Sequence, residues 1–317
     1  MAGETVATVH VDVLLSNLAR LYRPTSFIAD ALVPYIDVQN ESDLYPVFDQ
    51  GQFYATDVDD LVADRSEPKV VEYGHDTETY RTQRRELAWD ISDRERKNAD
   101  SQIRLERNKQ VGVMGRLLLK REIRCAALLR KTTNGGQLTS GAAAAAAWDT
   151  AGTTSIETDI WTGRETMRLA IGARPNVVVI PEAVAAGMQK NTQLVAKLQY
   201  TYGSDGSRPL LEDYYPVLPA VLFGMKVMIP GEIKNTANEG ATATYSDVWG
   251  EDVRLLYITT GAALEEPSVA YTFRSESMTT RRSREDKPRK DWFAVGQTIV
   301  EQIVAPSAGY EISNCLA

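Results

Sequence analysis

The residues best suited to chemistry are few and widely spaced in this sequence. The chain has two histidines, His10 and His75, and two cysteines, Cys125 and Cys315. Protein metal sites usually need His, Cys or acidic ligands at short, regular spacings, and no CxxC, HExxH or EF-hand pattern occurs. The sequence therefore predicts no metal centre, and it predicts two free thiols rather than a disulfide.

Motifs for nucleotide binding and acyl transfer are also missing from the sequence. It contains no GxGxxG, no phosphate-binding loop ending in Gly-Lys-Ser/Thr, and no GxSxG. Asp and Glu are abundant, but no pair is marked by its spacing as a general acid and base. We therefore predict a protein that is not an enzyme and holds no cofactor, with a cytoplasmic enzyme kept as an alternative.

Composition indicates a folded protein of one large or two ordinary domains. Of the 317 residues, 43% are apolar and 25% are charged, and no apolar run is long enough to cross a membrane. The N-terminal stretch contains several charged side chains, so we expect no secretory signal. The net charge of -8 argues against a dedicated nucleic-acid-binding protein and predicts only non-specific contact with DNA.

An apolar segment that is cut by prolines runs from Pro24 to Phe48. Its sequence is PTSFIADALVPYIDVQNESDLYPVF, which is rich in apolar residues. Pro24, Pro34 and Pro46 stand too close together for one continuous helix, because proline removes a backbone donor and clashes with the preceding turn. The segment is therefore predicted to be extended, and its apolar surface needs a partner.

The strongest helical signal lies between Ser92 and Gly136. Ser92 followed by Glu95 fits a capping box, and Asp100 or Ser101 offers a second, later cap. Beyond these caps, apolar residues recur on one helical face. The residues of this face are Val111, Met114, Leu118, Cys125 and Leu129. Asn134-Gly135-Gly136 is typical of a left-handed C-terminal cap. Even from the later cap, the pattern predicts a helix of about thirty residues and roughly 45 to 50 Å, with a coiled-coil strand or one long helix of a bundle as the alternative.

Most other elements are predicted to be strands. Residues 51–89 are predicted to form a long two-stranded hairpin, and the glycine and alanines of 141–147 a loop or frayed helix. Residues 174–191 fit a buried strand and then a helix with Pro181 at its first position. Two further strands are expected in 222–235 and 252–261, and two long ones on either side of the charged turn 283–290. The predicted fold class is α+β, which fits no doubly wound enzyme fold.

Several stretches resemble the major capsid proteins of tailed double-stranded DNA phages, in the order in which that family has them. FIADALVPYIDVQNESDLYPVFD resembles the arm and entry strand. ISDRERKNADSQIRLERNKQVGVMGRLLLKREIRCAALL, with its pair Arg121-Glu122, resembles the approach to the long spine helix. RPNVVVIPEAV, VWGEDVRLLYI, PSVAYTFR and GYEISN resemble later elements.

This resemblance implies the Hong Kong 97-type capsid fold. Its expected parts are an N-terminal arm (1–45), an extended E-loop hairpin (46–91), a peripheral domain with the spine helix (92–175 and 266–296), and an α/β axial domain (176–265 and 297–317). The implied function is that of a structural subunit that assembles with itself, as pentamers and hexamers, into an icosahedral head shell around a double-stranded DNA genome. The protein would be made and assembled in the host cytoplasm and would reside in the virion.

The resemblance also implies partners. These are a separate scaffolding protein, a portal and, optionally, a decoration protein, with packaged DNA touched non-specifically and no membrane involved. Because residues 46–67 contain no lysine, we do not expect a covalent cross-link from the hairpin. An encapsulin-type protein compartment shell has the same fold and remains the alternative function.

Two groups of inter-subunit contacts follow from the resemblance. In the first, the apolar arm segment packs against neighbouring subunits through Phe27, Ile28, Leu32 and Tyr35. In the second, acids at the hairpin tip meet bases that share one face of a neighbour's spine helix. These residues are Asp57, Asp59 and Asp60 on the tip and Arg116, Lys120 and Arg124 on the helix. Residues 94–131 carry twelve bases and four acids, so an inward face toward packaged DNA is the alternative interpretation.

Overall fold

The computed structural model describes residues 10–11, 27–47, 60–62, 64, 66–70, 76–99, 105–150, 155–192, 194, 218–259, 261 and 268–317. Its α-helices, in chain order, are α1 (Ala29–Leu32), α2 (Asp93–Asn98), α3 (Leu105–Leu128), α4 (Ser155–Ile171) and α5 (Glu182–Met188). No helix in the described part of the chain is long and apolar enough to cross a lipid bilayer.

The strands lie both before and after these helices. In chain order they are β1 (His10–Val11), β2 (Tyr35–Asp37), β3 (Ser42–Val47), β4 (Asp76–Arg81), β5 (Gln83–Ser92), β6 (Ser140–Ala143), β7 (Val177–Val179), β8 (Val221–Leu222), β9 (Met225–Met228), β10 (Ile233–Asn235), β11 (Tyr245–Asp247), β12 (Val253–Leu256), β13 (Ala270–Glu285), β14 (Lys290–Ile303) and β15 (Gly309–Ser313).

The first sheet is built on the two longest strands. Its order is β1-β13-β14-β5, and β2 pairs with β13 in parallel. The β13–β14 pair runs antiparallel and ends at Glu285 opposite Lys290, so the predicted long strands on either side of a charged turn are confirmed. Helix α3 packs on β5 and β14, through a cluster that contains Trp89 stacked on Phe293 with ring centroids 5.2 Å apart.

The second sheet has the order β6-β15-β12-β7-β9-β8. One of its faces shares a core with α1 and the C-terminal end of α3, and this core includes Leu32, Cys125 and Leu129. The other face shares a core with α4 and α5, which includes Ile160 and Met188. The second sheet is therefore covered on both faces, as a strand such as Val177–Val179 with three consecutive buried valines requires.

Helix α3 has the predicted apolar face but ends earlier than predicted. Its 24 residues extend about 36 Å. The Leu128 carbonyl accepts from the Gln137 N–H at 3.1 Å, and the chain turns back after that point. Gly135, with φ of 80°, instead caps the short 3-10 turn Thr132–Asn134, so the prediction that it ends the long helix is wrong. The cap at the start of α2 is confirmed, because the Ser92 hydroxyl accepts from the Glu95 N–H at 3.1 Å.

Two further predictions need correction. The alanine run does not start as a loop or frayed helix, because Ser140–Ala143 form strand β6 in parallel with β15. A Cβ at Gly141 would lie 2.7 Å from the Glu311 carbonyl oxygen, so a residue without a side chain allows this close pairing. Pro181 precedes α5 as its N-cap residue, and the helix itself begins at Glu182.

Strands β3 and β4 pair antiparallel and form the base of the predicted long hairpin, which is the part that the structure describes. Ser42 pairs with Arg81 and Val47 with Asp76, so the hairpin begins before the predicted residue 51. The base is held to the first sheet by a small aromatic cluster, in which the Tyr80 ring stacks on Phe273 at 4.6 Å. Strand β5, which was predicted to be part of this hairpin, pairs with β14 instead. Residues 48–59 and 71–75 lie outside the described residues.

Candidate functional site

A charged pair interrupts the buried face of α3. Arg121 and Glu122 are 1% and 0% exposed, and they fill the turn between the buried residues Leu118 and Cys125. Burial of a charged group is costly unless it is paired and hydrogen-bonded, so the surroundings of both side chains must supply partners. These partners come from the arm segment, from the first sheet and from the second sheet.

Glu122 joins α3 to the arm segment and to the second sheet. Its carboxylate accepts from the backbone N–H groups of Ala29 at 2.9 Å and Ile28 at 3.3 Å, which are orphan donors at the start of α1. It also accepts from the indole Nε1–H of Trp249 at 2.8 Å. Burial raises the pKa of Glu122, and these three hydrogen bonds oppose that rise. One side chain therefore holds three separate parts of the fold together.

Arg121 makes the matching contacts to β2 and β13. Its Nη2 donates to the Val33 carbonyl at 3.2 Å and to the Thr272 hydroxyl at 3.0 Å, and its Nη1 pairs with Asp30. The guanidinium also lies 4.3 Å from the centre of the Tyr35 ring. Burial lowers the pKa of Arg121, but an arginine stays protonated at neutral pH. The arm segment is thus fixed to α3 by polar contacts on both sides of α1.

A second polar cluster continues from Trp249 into the second sheet. The Arg254 guanidinium lies 4.9 Å from the Trp249 ring centre, and Arg254 pairs across strands with Glu311. Arg130, near the end of α3, donates to the Asp252 carboxylate at 2.9 Å. Burial lowers the pKa of Arg254 to about 10. The two clusters form one continuous polar connection between α1, α3 and the second sheet, with Trp249 in contact with both.

An open cavity of 420 Å³ lies where the arm segment meets α3. Its walls combine apolar and charged groups, namely Phe27, Ala29, Asp30, Ala31, Leu118, Arg121 and Glu122. Within the described residues, no group of three or more His, Cys, Asp or Glu side chains is arranged to hold a metal ion. The charged groups at the cavity bind other parts of the same chain, which is an arrangement that fixes elements rather than one that transfers groups.

Both cysteines are free, as predicted, and both are fully buried. Burial raises the pKa of the Cys125 thiol to about 12 and that of the Cys315 thiol to about 12. Nucleophilic cysteines need a lowered pKa and access to solvent. The two thiols therefore act as small apolar side chains in the two cores.

Comparisons with known proteins give a consistent result. No protein-family model matches the sequence. The sequence is 23% identical over 321 residues to the major capsid protein of Burkholderia phage BcepMu, and the match covers 96% of each chain. The structure superposes on a phage-related protein from Bordetella bronchiseptica with a TM-score of 0.72 and 19% identity, covering 96% of this chain and 97% of that one. It also superposes on the capsid of cyanophage P-SCSP1u with a TM-score of 0.58 and 12% identity, covering 98% and 91%. The chain has the fold of the phage major capsid proteins.

The predicted resemblance to phage major capsid proteins is therefore confirmed. The matched proteins of BcepMu and P-SCSP1u are capsid components, in agreement with the prediction of a structural protein that is not an enzyme. The mixed helix and sheet arrangement agrees with the predicted α+β capsid fold.

In this capsid fold, the arm residues that we predicted to bind neighbours have different environments. Ile28 and Leu32 are 9% and 0% exposed and belong to the chain's own core, so they offer little side-chain surface to another subunit, and their contact with a neighbour stays a prediction. Their burial follows from the Glu122 contacts, which draw α1 onto α3. Phe27 and Tyr35 are half-buried, and Tyr35 also lies 4.8 Å from the Arg274 guanidinium. Only these two residues of the four keep side-chain surface for a neighbour.

The structure describes four of the six residues of the predicted charged contact between hairpin tip and helix. Arg116 and Lys120 are exposed on α3, whereas Arg124 makes two hydrogen bonds to Glu301 at 2.7 and 3.1 Å within the same chain. Arg124 is therefore already neutralised and is a poor partner for another subunit. Asp60 is exposed, and Asp57 and Asp59 lie outside the described residues. The contact between hairpin tip and helix stays a prediction.

Sequence reasoning missed the structural role of Arg121 and Glu122. Both residues were noted as a charged pair, but charged residues on a helix are most often solvated. The apolar residues recur at spacings of three, four, seven and four, and the spacing of seven from Leu118 to Cys125 leaves one turn of the buried face without an apolar residue. A charged pair in that turn is the signal that could have revealed a buried polar junction.

Proposed function

We propose that this chain is a major capsid subunit that assembles with itself into the icosahedral head shell of a tailed phage and encloses a double-stranded DNA genome. The observation that carries the proposal is the length of the sequence match to a major capsid protein, 96% of both chains. The match leaves no domain-sized part of this chain or of the relative unaligned. The fold similarity to a cyanophage capsid over 98% of the chain supports the same conclusion.

Exposed apolar residues on the hairpin support a protein that works in an assembly. Leu44, Leu61 and Val70 are 60%, 79% and 86% exposed. Three large apolar side chains this exposed in one segment are candidates for an interaction surface. In the proposed shell, this part of the chain is covered by neighbouring subunits.

We also propose the finer arrangement that the family resemblance implies. Pentamers and hexamers form the shell, a separate scaffolding protein and a portal take part in assembly, and a decoration protein is an optional addition. Assembly takes place in the host cytoplasm, and packaged DNA is contacted without sequence specificity. The contacts of α4 with β6, β12 and β15 support placing α4 in the axial domain, which moves the proposed boundary from residue 175 to Ser155.

Electron microscopy of the purified protein tests the proposed function. Closed shells of uniform size are expected, and particles from producing cells are expected to contain nuclease-resistant DNA. Protein that stays dispersed under all assembly conditions would contradict the shell. Shells that contain a protein cargo and no DNA would favour the encapsulin-type compartment.

The proposed contact between hairpin tip and α3 predicts salt-sensitive assembly. Changing Asp57, Asp59 and Asp60 together to asparagine is expected to lower the yield of shells at low salt, because each tip would lose its attraction to bases such as Arg116 and Lys120. An exposed ion pair contributes under about 1 kcal/mol, but it is repeated in every subunit of the shell. The measurement is the yield of shells by sedimentation across a salt series, in which wild-type assembly should weaken as salt rises.

The matched control is a variant that loses the same number of negative charges from parts of the hairpin away from its tip. Glu41→Gln, Glu67→Gln and Asp76→Asn together remove three exposed acids. This control should assemble like the wild type. Equal yields for the tip variant and the wild type at every salt concentration would leave the basic face of α3 directed at DNA instead.

A further inference from the structure

The outer face of α4 carries an exposed aromatic residue. Trp161 is 62% exposed, and Leu169 on the same side of the helix is also 62% exposed. They stand at positions i and i+8 with Glu165 between them, so they form one ridge that extends about 12 Å along the helix axis. The opposite side of α4, with Ile160 and Met167, is buried against the second sheet.

A second exposed apolar surface lies on the β10–β11 hairpin. Ile233 pairs with Asp247 and Asn235 pairs with Tyr245, so these four residues lie on one face of the hairpin. On that face Ile233 is 53% exposed and Tyr245 is 65% exposed. The two residues are diagonal neighbours, which places them roughly 7–8 Å apart. This is a flat apolar surface of the size that a helix ridge can cover.

Each of these surfaces also carries one charge that has no ion-pair partner among the described residues. On α4 it is Arg164, whose guanidinium lies 5.5 Å from the centre of the Trp161 ring. On the hairpin it is Asp247, which shares its face with Ile233 and Tyr245. The two surfaces therefore match in chemistry, since each combines apolar groups with one charge that lacks an ion-pair partner, and these two charges have opposite signs. Glu165 on the α4 ridge is already paired with Arg168.

The two surfaces lie toward opposite ends of the second sheet. Helix α4 packs on β6, β15 and β12, whereas the hairpin follows β9, next to the β8 edge. In the strand order, β9 is two to four positions from the strands that α4 contacts, which is roughly 10–19 Å at about 4.8 Å per strand. One chain cannot bring its own two surfaces together across this distance, so a second copy has to supply the partner surface.

We propose that the α4 ridge of one subunit packs on the β10–β11 face of a second copy, with Arg164 of one chain facing Asp247 of the other. A contact between two different surfaces of the same chain is head-to-tail, and repeated contacts of this kind close into a ring when the rotation allows it. This contact deepens the proposed function and rests on it, because it assigns the surfaces that hold adjacent subunits together within one ring of the shell.

Exchange of the two charges tests the contact directly. Arg164→Asp alone and Asp247→Arg alone are each expected to lower the yield of rings and shells about tenfold, because like charges then face each other. The double variant carries the pair in reverse and should restore the yield to near that of the wild type. The control is Lys190→Glu, which reverses the charge of an exposed residue just after α5. This variant should assemble normally. The readouts are sedimentation of the full-length protein and electron microscopy, with circular dichroism to show that each variant is folded.

The possible outcomes separate this contact from the proposed function. Single variants that assemble like the wild type, or a double variant that is no better than the singles, would overturn the contact and leave the proposed function in place. A third outcome is that the double variant restores rings while neither it nor the wild type forms shells that contain DNA. That result would support the contact and contradict the proposed function. Wild-type protein that remains monomeric would overturn both.

Discussion

Replacing Glu122 by alanine is expected to lower the free energy of unfolding by about 3–5 kcal/mol, because breaking a buried charged network strands its remaining partners. Three donors lose their acceptor at once: the backbone N–H groups of Ile28 and Ala29 and the indole N–H of Trp249. The Ile28 and Ala29 donors stand at the start of α1, which packs in the core that contains Leu32. The loss should therefore appear as detachment of α1 as well as lower global stability.

Urea unfolding of the unassembled chain measures this loss, and amide hydrogen exchange at residues 28–33 reports the detachment of α1. Glu122→Gln keeps one carbonyl acceptor and should lose less than the alanine variant. Glu106→Ala is the matched control on the same helix, because its partially exposed ion pair with Arg96 is worth under about 1 kcal/mol. Equal losses for Glu122→Ala and Glu106→Ala would show that the buried junction does not hold the arm segment.

Asp291→Asn is expected to destabilise the protein by about 2–3 kcal/mol at neutral pH, which is the usual value of hydrogen bonds to a charged group. The Asp291 side chain is 3% exposed at the start of β14 and lies between three arginines. It pairs with Arg96 at 2.7 Å, with Arg282 at 2.9 Å and with Arg284 at 3.2 Å. Asparagine keeps the shape of the side chain but leaves the three cations without their shared anion.

The effect of Asp291→Asn should depend on pH in a defined direction. Burial alone would raise the pKa of Asp291, but hydrogen bonds from Arg96 and Arg284 and the charge of Arg282 outweigh it, so the pKa is lowered. A lowered folded-state pKa gives stability that is present above the unfolded pKa and is lost as the pH falls through the folded one. The gap between wild type and variant should therefore be constant near neutrality and close as the pH falls below about 4.

Unfolding free energies measured in urea across this pH range test the expectation. Asp286→Asn is the control, because that side chain is 95% exposed and lies 3.9 Å from Arg284. It should leave stability nearly unchanged at every pH. A gap for Asp291→Asn that persists unchanged in acid would show that ionisation of Asp291 is not the cause.

Local signals in the sequence predicted the elements that depend on local physics. The apolar face of α3 with Met114 and Cys125, the cap at Ser92 and the charged turn before Lys290 all follow from short-range spacing and side-chain chemistry. The overall order of elements was predicted by resemblance and by pattern together. Each of these features can be read without knowing which parts of the chain meet in space.

The features that the sequence did not predict share one cause. Each depends on contact with a residue that lies elsewhere in the sequence. The apolar side chains of Ile28 and Leu32 could suit a neighbour or the chain's own core, and their burial in that core depends on α3, where Glu122 accepts from the start of α1. The early end of α3 depends on Gln137 returning to the Leu128 carbonyl. Strand β6 exists because β15, at the far end of the chain, pairs with it. No local pattern contains this information.

The burial of both cysteines has a practical consequence for labelling. Cys125 and Cys315 are the only two cysteines of the chain, both are 0% exposed, and burial raises the pKa of each thiol to about 12. Maleimides and iodoacetamides react with thiolates, which these buried groups do not present near neutral pH. A cysteine introduced at the exposed position of Asp286 would therefore be the one thiol that reacts readily. A shell made from this variant would carry a fluorophore, a sugar or a peptide antigen at the same point of every subunit, without removal of any native residue from the cores.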